Sequence, residues 1–252
     1  MAAIVAVLAG CSRGSGGTPA FGPAGDFEAA LDEYERGHLV AAIEMLEGFE
    51  RSHPGSQYID DALYYLGKAH QGNNEHLLAR QAFERVFTDF PQSPRAEDAR
   101  FEYARSWYLA VRGPELDAEP AEEALVAFRT YLRRFPEGSH RAEVDEAIAD
   151  LLGTLARKDF MNGATYLRLG RKEAARRYFT KSLDTWEQSP SSAQAMDAIA
   201  RSYESEGDWA AARSAYERVL EHLQENPDRY EEGRKLAARA REKLAELPAA
   251  GG

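Results

Sequence analysis

From Phe27 to about Leu247 the apolar residues return every three or four positions, with charged residues between them, which is the period of an amphipathic helix. In FEAALDEYERGHLVAAIEMLEGF (27–49) two such runs flank Arg36, Gly37 and His38, so the pattern predicts two helices joined by a tight turn. The second run closes at HPGS (53–56), and the same texture restarts and closes again at FPQS (90–93) and FPEGS (135–139). The start of the chain reads differently. Ala2 to Ala9 is continuously apolar, and Gly, Ser and Pro dominate from Gly10 to Gly25.

The helical texture repeats. Pro54 and Pro91 are 37 residues apart, as are Gly170 and Gly207. Twelve residues before each closing proline stands an alanine, Ala42, Ala79 or Ala124, and eight before it a bulky residue, Leu46, Phe83 or Phe128. Ala175 and Ala212 continue the alanine series five residues after Gly170 and Gly207. Where two helices cross closely, one must present a small side chain, and Ala30, Gly67, Ala104, Gly163 and Ala200 meet that need on the first helix of each unit. Gly37, Gly170 and Gly207 fall at the turn, where a left-handed backbone costs glycine least, and Asn74 takes that place in the second unit. The prolines disfavour helix in the residue before them and so end the second helices.

These features resemble the tetratricopeptide repeat, and they predict an all-α superhelix of about five helix-turn-helix units. RYEEGRKLAARAREKLAEL (229–247) is expected to cap the last repeat, with its tail unstructured. The period breaks in two places. VRGPELDAEP (111–120) enlarges the third turn by eight residues, and HRAEVDEAIADLLGTLARKDF (140–160) reads as one extended helix between the third and fourth units. The expected organisation is a signal segment, truncated at its start, over 1–10; a tether over 11–25; repeats 1 to 3 over 26–142; repeats 4 and 5 over 143–228; and a capping helix and tail over 229–252.

The chain has 252 residues and a formal net charge of -11, so the positive stripe that nucleic acid needs is missing and nucleic acid is set aside as a partner. No apolar run approaches the 18 or so residues of a bilayer span. The six histidines show no metal-ligand spacing, no glycine-rich phosphate loop occurs, and acidic runs such as EPAEEA and RYEEGR are solvated helix faces, so neither an enzyme nor a cofactor is expected. His70 occupies a packing position and is expected in the core. Cys11 is the single cysteine, so it has no partner for an intramolecular disulfide. Leu8-Ala9-Gly10-Cys11 resembles the bacterial lipobox, which implies acylation of Cys11. Ser12 after it resembles lipoproteins sorted to the outer membrane, so the expected location is the periplasmic face of that membrane, reached through the lipid anchor alone.

The lipobox, five repeats, the enlarged third turn, the long helix into LARKDF and the stretch NGATYLRLGRKEAARRYF together resemble the BamD family of outer-membrane β-barrel assembly lipoproteins over about residues 27 to 222. The resemblance implies a scaffold whose C-terminal repeats dock the barrel-forming subunit BamA and whose N-terminal repeats receive unfolded outer-membrane proteins. The family's basic docking residue in the fourth repeat falls on Tyr178, with Arg176 and Arg177 beside it. The fifth, ninth and twelfth positions of each repeat line the concave face of such arrays, which places Gln71 there in repeat 2 beside a candidate peptide groove of Phe27, Leu31, Tyr34, Tyr64, Lys68, Phe101, Arg105 and Tyr108. Repeat 5 gives the polar set Asp197, Arg201 and Glu204. Two other readings fit the repeats: a periplasmic adaptor of the Tol-Pal and peptidoglycan system, though no heptad run appears, and a cytoplasmic peptide-binding adaptor.

Overall fold

The computed structural model describes residues 22–114, 117–225 and 233–248. They form eleven helices: α1 (Pro23–Glu35), α2 (Leu39–Ser52), α3 (Ile59–Gly72), α4 (His76–Asp89), α5 (Ala96–Leu109), α6 (Glu119–Arg134), α7 (Arg141–Arg168), α8 (Lys172–Thr185), α9 (Ser192–Glu204), α10 (Trp209–Glu225) and α11 (Gly233–Glu246). Odd and even helices pair as five tetratricopeptide hairpins, and α11 follows α10 and packs on α9 and α10. Cys11, the signal segment and most of the expected tether lie outside the described residues. α1 begins at Pro23, inside the 11–25 span expected as a tether: proline is pre-set for the first helical turn, and Asp26 donates its N–H to the Gly22 carbonyl.

Four of the five hairpin turns share one construction. Gly37, Asn74, Gly170 and Gly207 have φ of 79°, 62°, 72° and 76°. In each, the next residue's N–H returns to the carbonyl five residues back, His38 to Glu33, Glu75 to His70, Arg171 to Tyr166 and Asp208 to Tyr203, which is the Schellman closure. The enlarged third turn runs from Ala110 to Ala118 and replaces this closure.

The small-residue series works as the crossing geometry demands. Ala42, Ala79, Ala124, Ala175 and Ala212 are fully buried on the second helices. One turn further on, Leu46, Phe83, Phe128, Phe179 and Tyr216 each sink against the first helix. At Gly67 a Cβ would lie 2.6 Å from the Phe83 ring, and at Gly163 2.6 Å from the Phe179 ring, so glycine is a steric requirement there. The buried apolar side chains group into three cores, one under repeats 1 and 2, one under repeat 3 with the start of α7, and one under the end of α7, repeats 4 and 5 and α11. The 28-residue α7 belongs to the last two at once.

Between repeats a clasp recurs. The residue capping the start of α3, α5 and α7 lies on an aromatic ring of the previous repeat: Tyr58 stacks on Phe27 at 5.6 Å, Arg95 on Tyr64 at 5.1 Å, and His140 on Phe101 at 4.0 Å. An aspartate of the earlier helix fixes two of these caps, Asp61 to Arg95 at 2.7 Å and Asp98 to His140 at 3.0 Å.

Candidate functional site

The clasp decides which of the expected groove residues a ligand could reach. Phe27 and Phe101 are core residues, 8% and 3% exposed, because the rings of Tyr58 and His140 cover them. They are removed from the groove. Tyr34, Tyr64 and the neighbouring Tyr65 form a half-buried aromatic step, with Tyr65 edge-on to both at 5.4 and 5.5 Å, and Leu31 packs beside them. Burial, and after it the charge of Glu102, pushes the Tyr34 and Tyr64 hydroxyls up, so both stay protonated donors at neutral pH.

Lys68 and Arg105 converge on Glu102, a carboxylate that no groove position contained. The Lys68 ammonium lies 2.5 Å from Glu102 Oε1, and Arg105 Nη1 lies 3.4 Å from Oε2. Glu102 is only 5% exposed. Gln71 completes the group by donating to Ser106 Oγ at 3.0 Å, and Ser106 donates in turn to the Glu102 carbonyl at 2.8 Å. A buried carboxylate needs such neutralisation, and the result is a polar link joining α3 to α5 below the groove. One signal for Glu102 was present in the sequence: it is a lone charge between Phe101 and Tyr103.

Beyond Arg105 the floor turns acidic. A cavity of about 280 Å³ opens between α5 and α7, lined by Arg105, Tyr108, Glu143, Glu146 and Asp150, and Tyr108 donates to Asp150 at 2.9 Å. A larger cavity, about 1030 Å³, continues along α7 to the α8–α9 turn and the start of α11, with Arg157, Trp186, Gln194 and Lys235 among its walls. Neither the α7 carboxylates nor Trp186 were visible as site residues, because the interrupted period hid which face of α7 is concave. The two acids at the concave positions of repeat 5 are paired from within, beside a cavity of about 870 Å³ lined by Arg201, Glu204, Arg239 and Lys243. Arg239 of α11 donates to Asp197 at 2.9 Å, and Lys243 reaches Glu204 at 3.1 Å.

The expected docking trio of repeat 4 does not share a face. Arg176 turns into the seam with α9, bonding Ser202 and Glu206 at 2.7 Å each. Arg177 stays in solvent beside Glu173 at 2.6 Å, and Tyr178 stacks on Tyr166 at 5.2 Å. His70 is in the core, and its Nδ1 lies 2.7 Å from Glu75. Among the described residues no helix is long and apolar enough to cross a membrane.

Residues 23–220, from α1 into α10, match the family model described as YfiO, outer membrane lipoprotein. The outer membrane protein assembly factor BamD of Caulobacter vibrioides is 26% identical over 149 residues, 59% of this chain and 49% of that protein. Its namesake in Vibrio cholerae is 24% identical over 183 residues, 65% of this chain and 72% of that protein. The aligned part thus spans about half the length of the first relative and about seven tenths of the second. Among solved structures, a TPR repeats protein from Bacteroides fragilis superposes with a TM-score of 0.50 at 11% identity, covering 90% of this chain and 99% of that one, a likeness of fold alone.

Proposed function

The chain belongs to the YfiO family of outer membrane lipoproteins, and on that premise we propose that it is an outer-membrane-anchored scaffold in the assembly of β-barrel proteins. Cys11 carries the lipid and holds the body at the periplasmic face. The C-terminal repeats dock a BamA-like barrel-forming subunit. The open groove of repeats 1 to 3 receives an extended, aromatic-rich segment of an unfolded outer-membrane protein. Its rings rest on the step of Tyr34, Tyr64 and Tyr65, and its polar end meets Lys68 and Arg105. The protein acts as a scaffold and not as a catalyst.

The family match supports this reading most, because it runs unbroken across all five repeats. The relatives' shared name, outer membrane protein assembly factor, supports the process. Because Glu102 already neutralises part of the charge on Lys68 and Arg105, the groove favours aromatic packing over carboxylate capture. Affinity for a peptide ending in an aromatic residue is therefore expected to fall more with Tyr64→Ala than with Lys68→Glu or Arg105→Glu. Co-purification with the cognate barrel-forming subunit, and palmitate labelling lost in Cys11→Ala, test the assignment directly. An unlabelled protein that captures no such subunit would remove it.

A further inference from the structure

Arg80 and Arg176 hold the same place in their repeats, one residue after the buried alanines Ala79 and Ala175. Each lays its guanidinium on an aromatic ring of the next repeat, Arg80 on Trp107 at 3.5 Å and Arg176 on Tyr203 at 4.4 Å. The rest of their surroundings differ. Arg176 is completed by Ser202 and the Glu206 carboxylate. The residues at the same spacing from Arg80 are Ser106, whose hydroxyl is engaged by Gln71 and the Glu102 carbonyl, and Ala110, which has no carboxylate.

Arg80 therefore makes no hydrogen bond or ion pair among the described residues, although it is only 9% exposed. Glu119, whose charge it feels, forms no bond with it. Two buried polar atoms beside it also lack partners, the Trp107 indole Nε1 and His76 Nδ1, one helical turn before Arg80 on α4. Burial, with the charges of Arg80 and Arg112, keeps the His76 ring from protonating easily, so the corner is short of one negative charge. A largely buried guanidinium without an acceptor is costly, and the second copy of the arrangement shows which group relieves it. Apolar side chains stand on both helices at this edge: Leu77 of α4 is 60% exposed and Leu109 of α5 is 43% exposed.

We propose that Arg80, laid on the Trp107 ring, forms a docking site for a carboxylate side chain of a partner protein, presented between apolar residues that rest on Leu77 and Leu109. The incoming carboxylate takes the place that Glu206 fills in the other copy. This site lies at the hairpin-turn edge of the α4–α5 seam, and it does not depend on which assembly the chain serves.

The test tracks the indole N–H resonance of Trp107 in the full chain, assigned by its disappearance in Trp107→Phe. The probe is a capped pentapeptide, Ser-Leu-Glu-Leu-Ser, compared with its glutamine counterpart. The glutamate peptide is expected to shift the resonance saturably with a Kd on the order of 1 mM, and the glutamine peptide to bind about tenfold more weakly. Arg80→Met is expected to abolish the response and Arg176→Met to leave it unchanged. Equal shifts from both peptides, or none up to about 10 mM, overturn the proposal. So does a Trp107 resonance that moves in Glu115→Gln without peptide, since the chain's own loop would then supply the carboxylate. If Arg80→Met does not fold, the contrast between the two peptides on the unmodified chain decides.

Discussion

The two ends of the concave surface use equivalent repeat positions in opposite ways. In repeats 2 and 3, Tyr64, Lys68 and Arg105 border an open groove, and the cations lean on a carboxylate from the same layer of first helices. In repeat 5 those positions carry Asp197, Arg201 and Glu204, and α11 brings Arg239 and Lys243 to meet the two acids. An array of hairpins leaves one face uncovered at its end, so α11 stacks on the last repeat and pairs its acids, beside a cavity of about 870 Å³ lined by Arg201, Glu204, Arg239 and Lys243. The partners of the groove charges are therefore set by the helix stacked next to each repeat, not by the groove residues alone.

Removing α11 breaks the comparison most severely. Deletion of residues 233–252 exposes the surface that Leu236, Ala240 and Leu247 cover. It is expected to cost about 4 kcal/mol and to lower Tm by roughly 10 °C in a thermal melt. A smaller effect distinguishes the two acids. Glu102→Ala strands two cations above a buried site and is expected to cost about 2 kcal/mol by urea unfolding. Asp197→Asn is expected to cost about half of that, because its partner Arg239 is more exposed than Lys68. Equal losses would mean that the two ends are held alike.

Acid should loosen the α11 end. Burial raises the proton affinity of Glu204, but hydrogen bonds from Tyr216 and Lys243 outweigh it, and the carboxyl sits below the ordinary glutamate value of 4.5. A group lowered on folding stabilises fully above its unfolded value and loses that contribution as pH falls through its folded one. Tm is therefore expected to drop as pH is taken from about 5 to 3, and to drop less in Glu204→Gln. The smallest effect belongs to Arg177, whose ion pair among the described residues is an exposed one within α8. Arg177→Ala is expected to change stability by less than about 0.5 kcal/mol.

Much of the fold was legible because close helix crossings leave little freedom. Gly67 and Gly163 have no room for a side chain, and a left-handed turn in four of the five repeats calls for Gly37, Asn74, Gly170 and Gly207. The site was less legible, because its residues are defined by neighbours distant in sequence. Phe27 and Phe101 have the right type and position for a groove, yet Tyr58 and His140, 31 and 39 residues away, cover them. Glu102 was missed for the same reason: its two cations come partly from another helix. The seam pairing of Arg176 with Tyr203 rests on a spacing of 27 residues that only becomes meaningful once the Arg80 and Trp107 copy is seen beside it.

The long helix α7 carries a mechanical consequence. At 28 residues it is a rod of about 42 Å, with one end set in the core of repeat 3 and the other in that of repeats 4 and 5. A tilt of about 5° at one end displaces the other by nearly 4 Å on that length. Whatever grips one half of the molecule thus has a lever on the other.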